Sequence, residues 1–169
     1  MLKVKKPIVL HSSFYLHRYS IMMYMNIKQI SVLVSRIALF VIYFWFGLLK
    51  VIGQSPASPL VEKLFDSTIA GIMPFSSFIV LFGLFEMAIG ILFFVPKFEK
   101  IATIAFGVHM FTTTLPLFMI SGLWTNFAVP TLEGQYIIKN LALVACALTI
   151  WAGAVDSKPR TSDTILNTL

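Results

Sequence analysis

Cysteine and charge are both scarce in this chain. There is one cysteine, Cys146. An intrachain disulfide and a CxxC redox pair are thereby excluded, and a Cys/His zinc site lacks its ligands. Cys146 lies within an apolar run and reads as a small, buried helix-packing residue. Charged residues make up 12% of the 169, well below the roughly 25% of a soluble domain. The net charge of +6 does not indicate nucleic-acid binding, because basic and aromatic residues are not interleaved. The excess Lys and Arg sits in connections and tails, as the positive-inside bias of membrane proteins places it. Also missing are a strong internal repeat, a Walker motif, a GxGxxG before a helix, an HExxH pair and an assignable Ser-His-Asp set. No metal site is expected.

What is present is apolar length. The chain is 58% hydrophobic, with a mean hydropathy of +0.88 and 16 phenylalanines. The expected fold class is all-α, a polytopic membrane protein built as a four-transmembrane-helix bundle. Four spans approach or exceed the ~20 apolar residues that cross a bilayer. They run from about Ser31 to Ile52, Ser76 to Val95, Lys100 to Ile120 and Tyr136 to Gly153. Pro96-Lys97-Phe98-Glu99 makes a tight turn, so the second and third spans form an antiparallel hairpin. Residues 1–28 form a basic N-terminal tail, 29–155 the membrane domain and 156–169 a C-terminal tail. Lys3, Lys5, Lys6, Arg18 and Lys28 precede the first span, Lys97 and Lys100 occupy the second connection, and Lys158 and Arg160 follow the fourth span. The opposite side has Lys63 in a loop, with Lys50 and Lys139 at span ends. Both termini are therefore predicted to be cytoplasmic.

In the first outer loop, Ser58-Pro59 reads as an N-cap followed by proline at the first helical position. Leu60, Val61, Leu64, Phe65 and Ile69 recur at helical spacing, opposite Glu62, Lys63 and Asp66, and Gly71 can end the segment. A short amphipathic helix is expected, lying at the interface or capping the bundle. Met1 to Tyr24 lack the apolar core of a signal peptide. Translation is expected to start at Met22, Met23 or Met25; otherwise the segment is a flexible cytoplasmic tail.

Ionisable residues inside apolar spans are the functional candidates. Glu86 interrupts the run Phe78–Phe94 and lies roughly 15 Å from the outer end of its span. His109 is at a similar depth on the third span. A shared depth across a tight hairpin lets the two meet, either as a proton-handling or ligand-polarising pair or as a structural bond locking the hairpin. Gly83 and Gly90 share the face of Glu86 and permit close helix approach. Thr112 and Thr113 follow His109 by one turn, before Pro116, and either extend a polar path or satisfy carbonyls near a kink. Arg36, Tyr43, Gly47 and Lys50 form one stripe of the first span, on which Arg36 and Lys50 can snorkel. Lys50, Thr113, Lys139 and Asn140 are expected to gather above Glu86 and His109, in a net-positive outer cavity suited to an anion or a quinone headgroup. Glu86 and His109 are the catalytic candidates, and these six residues together the ligand-binding candidates.

Phe44-Trp45-Phe46-Gly47-Leu48-Leu49-Lys50 resembles the first-helix signature of DoxX/DoxD-like membrane proteins, especially the RclC (YkgB) reactive-chlorine-resistance branch. Ser58-Pro59-Leu60, Gly83-Leu84-Phe85-Glu86 with Gly90, and Gly134 to Asn140 are similar to later motifs of those proteins, in order, over about Ser31 to Gly153. The resemblance implies a four-helix inner-membrane protein. It also implies a link to redox enzymes, thiosulfate:quinone oxidoreductase subunits among them, or to oxidant resistance. Three functional expectations follow. The first is an accessory membrane subunit in redox metabolism or oxidant-stress resistance, taking a quinone or small anion. The second is the membrane subunit of a quinone-reducing oxidoreductase, with Glu86 and His109 handling protons. The third is a small transporter or channel. Whether the chain is an enzyme is left open. The expected partners are the lipid bilayer, a redox-enzyme subunit and a second copy of the chain; no covalently bound cofactor is expected.

Overall fold

The computed structural model describes residues 9–156, with side chains from Met23 onward except at 25, 26, 155 and 156. Helix α1 spans Val9–Val51. No glycine or proline occurs from Val9 to Phe46, so nothing interrupts it. The segment from Val9 to Lys28, expected as a tail, therefore continues the first apolar span as helix. The whole helix is roughly 65 Å long, about twice a bilayer's hydrocarbon core. The residues before Val9 and after Asp156, with Lys3, Lys5, Lys6, Lys158 and Arg160 among them, lie outside the described residues. Gly53 ends α1 at φ +72°, and the Gln54 amide donates to the Leu49 carbonyl at 2.8 Å, a left-handed C-terminal cap.

Helix α2 covers Ser58–Thr68. The residue that caps it is Ala57, and no side chain bonds the free amides. Ser58 is thus already helical, a correction to the expected cap, and Pro59 lies within the first turn. Ile69, rather than Gly71, terminates the helix, donating to the Phe65 carbonyl at 2.8 Å. Phe65 is buried against Phe75 and Phe78, while Glu62, Lys63 and Asp66 face outward. Helix α2 thus packs on the start of α3 through Phe65.

Helix α3 (Phe75–Phe94) leads through the Pro96–Phe98 turn into α4 (Glu99–Thr114). Leu115 precedes proline, and the path resumes as the short α5 (Pro116–Met119). A small hairpin absent from the sequence reading follows, pairing β1 (Trp124–Asn126) with β2 (Val129–Pro130). The Trp124 indole N–H donates to the Leu117 carbonyl at 2.9 Å and ties the hairpin to α5. The fourth apolar stretch is two helices, α6 (Leu132–Lys139) and α7 (Leu141–Asp156), parted at Asn140. It starts at Leu132 rather than Tyr136, because Thr131 caps it by accepting from the Gly134 amide.

Among the described residues, four helical stretches are long and apolar enough to cross a membrane: Ile27–Val51, Phe75–Phe94, Pro96–Met119 and Leu132–Ala154. Helix α1 packs on α3 and α7, and α4 packs on the same two, closing a four-helix ring. Its core holds Leu39, Ile89, Phe93, Ala102, Phe106, Ala147 and Ile150. Cys146 is half-buried beside that core. The outward faces remain apolar, with Leu33, Ile37, Val41, Leu81, Ile104, Val108, Phe111 and Leu148 all exposed.

Candidate functional site

The contact between α1 and α3 creates the site. At Gly47 an added Cβ would lie 2.5 Å from the Gly83 carbonyl oxygen, and at Gly83 one would lie 2.6 Å from that of Gly47. Each glycine thus occupies space that any side chain would take from the other helix. Gly90 meets the Phe44 amide in the same way farther along, at 3.1 Å. The two backbones therefore touch, and because α1 and α3 run antiparallel, the residues after Gly47 and those after Gly83 step away from the crossing in opposite directions, leaving a long side chain to reach back across it. Lys50 stands three residues after Gly47, and Glu86 three after Gly83.

Lys50 Nζ donates to Glu86 Oε2 at 2.6 Å. The other carboxylate oxygen, Oε1, lies 2.9 Å from His109 Nε2 across the α3–α4 hairpin. His109 Nδ1 lies 3.1 Å from the Tyr43 hydroxyl on α1. All four residues are buried, none more than 5% exposed. Ionised Glu86 can only accept, so Nε2 carries a proton and donates. Neutral His109 then accepts from the Tyr43 O–H at Nδ1. Protonated His109 would donate there instead, with the hydroxyl accepting. The array therefore runs Tyr43–His109–Glu86–Lys50, and its bonds survive a change in the charge of His109.

Aromatic rings enclose the array. Phe82 stacks on His109 with centroids 5.2 Å apart, and Tyr43 meets the imidazole edge-on at 5.1 Å. The Lys50 ammonium lies 5.7 Å from the Phe82 centroid, within range of a cation–π attraction. Toward the α3–α4 turn, Leu39, Phe93, Ala102 and Phe106 form a dry layer. Beyond that layer, Arg36 donates to the Phe93 carbonyl at 2.8 Å and ion-pairs with Glu99. Arg36 thus clamps the middle of α1 to the end of α3 and the start of α4, rather than snorkelling.

The expected pairing of Glu86 with His109 is present, and Lys50 joins it directly. The larger expected cluster does not assemble. Thr113 donates to the Met110 carbonyl at 3.1 Å, and Thr112 to that of His109 at 2.8 Å, so both satisfy their own helix. Lys139 is exposed, its ammonium 5.0 Å from the Tyr136 centroid, and Asn140 sits at the break between α6 and α7. The reason is electrostatic as well as geometric: Glu86 already neutralises Lys50, which therefore cannot line a net-positive cavity. Tyr43 is the site residue that sequence reasoning missed. Its signal was the spacing Tyr43–Gly47–Lys50, one face of α1 with a glycine between two polar groups. Among the described residues, no three His, Cys, Asp or Glu side chains gather as a metal ion would require.

No protein-family model matches the chain, and neither does any curated protein or solved structure.

Proposed function

We propose that this chain is a multi-pass protein of the bacterial inner membrane, with both termini cytoplasmic. In this reading it acts as an accessory subunit in redox metabolism or oxidant-stress resistance, and its buried array exchanges protons with a bound quinone headgroup. Contiguous exposed apolar surface of this extent is rare on soluble monomers and suits helices bathed in lipid. One observation carries the functional reading: four titratable side chains from three helices, bonded end to end inside an otherwise apolar bundle. Such groups are costly to bury in a membrane and mark proton or ligand sites by default. The cancellation of Lys50 by Glu86 favours a neutral ligand over an anion. The similarity of the Phe44–Lys50 and Gly83–Glu86 segments to DoxX/DoxD-like proteins points the same way.

Purification in mild detergent, followed by quinone extraction and identification of co-purifying proteins, tests the reading. Stoichiometric quinone, lost in Glu86→Gln at unchanged protein yield, is expected. Solute movement across liposomes by the purified chain, abolished in Glu86→Gln and without bound quinone, would replace this reading with a transporter.

A further inference from the structure

The two ends of the bundle are closed in different ways. Toward the α3–α4 turn the array is sealed twice, by the Leu39, Phe93, Ala102 and Phe106 layer and by the Arg36–Glu99 clamp behind it. Leu39, Phe93 and Ala102 have no exposed surface at all. Toward α2 no ion pair among the described residues plays the clamp's part, and the buried apolar side chains there include Phe65, Leu123 and Ile137. Instead one file of rings leads inward: Phe65 of α2 lies 4.9 Å from Phe78, Phe78 lies 5.6 Å from Phe82, and Phe82 lies 5.2 Å from His109. Phe65 is the one residue of α2 that is buried. The helix hangs between two glycine-bearing connections, and a Cβ at Gly53 or Gly71 would meet nothing within 4 Å.

We propose that the array is reached only from the α2 end, with Phe82 as its gate and α2 as the lid that holds the gate shut through Phe65 and Phe78. This deepens the proton-handling reading and rests on it for its purpose, though not for its geometry. A flat ring entering from the α2 end can take the place of Phe82 against the His109 imidazole without leaving that face unpacked. Withdrawal of Phe65 frees Phe78, and Phe78 in turn frees Phe82. The opposite end gives no such path, because opening it breaks the half-buried Arg36–Glu99 ion pair as well as the apolar layer. Lys50, beneath Phe82, is the first array member that a reagent from the α2 side would meet.

Lysine acetylation by a membrane-impermeant sulfosuccinimidyl ester, applied outside sealed proteoliposomes at alkaline pH, tests this directly. Exposed Lys63 on α2 and exposed Lys97 in the α3–α4 turn report which end each molecule presents. Intact-mass fragmentation then shows which of them is acetylated together with Lys50. In the native chain Lys50 is expected to stay unmodified from either side. In Phe65→Ala and in Phe82→Leu its acetylation should rise about tenfold, the mark of an opened state becoming populated. The rise should be confined to molecules acetylated at Lys63. Lys50 acetylated together with Lys97 would overturn the proposal. So would two folded, monodisperse variants that both leave Lys50 protected. No quinone is involved, so a failure here is separable from a failure of the quinone reading.

Discussion

Lys50 and Tyr43 occupy opposite ends of the array, and the difference between them decides what each substitution does. Lys50 supplies charge: losing Glu86 leaves Lys50 buried without a counterion, and losing Lys50 leaves Glu86 with only its His109 bond, at a cost of about 3 kcal/mol or more. Lys50→Met and Glu86→Gln should therefore each lower the unfolding midpoint in mild detergent. The double variant should recover much of the loss, because both charges are gone. Additive losses would show that the two residues do not form a buried pair. Tyr43 supplies only a hydroxyl at the far end of the array. Tyr43→Phe keeps the ring contact with Phe106 and should cost about 1 kcal/mol. It should nevertheless impair proton exchange, and full retention of exchange would remove Tyr43 from the array. Glu86 and His109 were legible together in the sequence because depth is arithmetic along a helix and the Pro96 turn forces adjacency. Lys50 was legible as a member of the site but not as the partner of Glu86, because a lysine one residue from the end of α1 reads equally as a snorkelling side chain. Its place on the Tyr43–Gly47 face of α1 directs it inward, but its pairing with Glu86 depends on how far α1 and α3 overlap, which no motif marks.

Among the elements, the α1–α3 crossing does most to position the array. Gly83→Ala would place a methyl 2.6 Å from a backbone oxygen, which no side-chain motion relieves. It should destabilise by about 1–3 kcal/mol and lengthen the Lys50–Glu86 contact. Gly107 provides the control, since a Cβ there meets nothing within 4 Å. Gly107→Ala in the interior of α4 should be neutral or slightly stabilising. Equal effects of the two substitutions on thermal unfolding would mean that the close approach is unimportant. The long helices were readable from their apolar runs, to within a few residues at most ends. The β1–β2 hairpin was not, because strands of three and two residues give no periodic signal. The break at Asn140 was hidden likewise, since neither glycine nor proline marks it.

At the scale of the whole molecule, the helix ring separates two chemically distinct ends, and the Lys and Arg residues of the connections predict which end is cytoplasmic. Reporter fusions at Phe98 and Thr131 should fall on opposite sides of the membrane, with Phe98 cytoplasmic. Both on one side would contradict a bundle of four crossings. The ring also brings α1, α3 and α4 together around Glu86, so the site belongs to the assembled bundle and to no single hairpin. Infrared difference spectroscopy of the purified protein, recorded as added quinone is reduced and reoxidised electrochemically, tests the central claim most directly. A carboxyl band that changes with the quinone's redox state, disappears in Glu86→Gln and shifts in Tyr43→Phe is the expected result. A quinone redox spectrum with no carboxyl component, identical in the native chain and in Glu86→Gln, would contradict a proton-handling array.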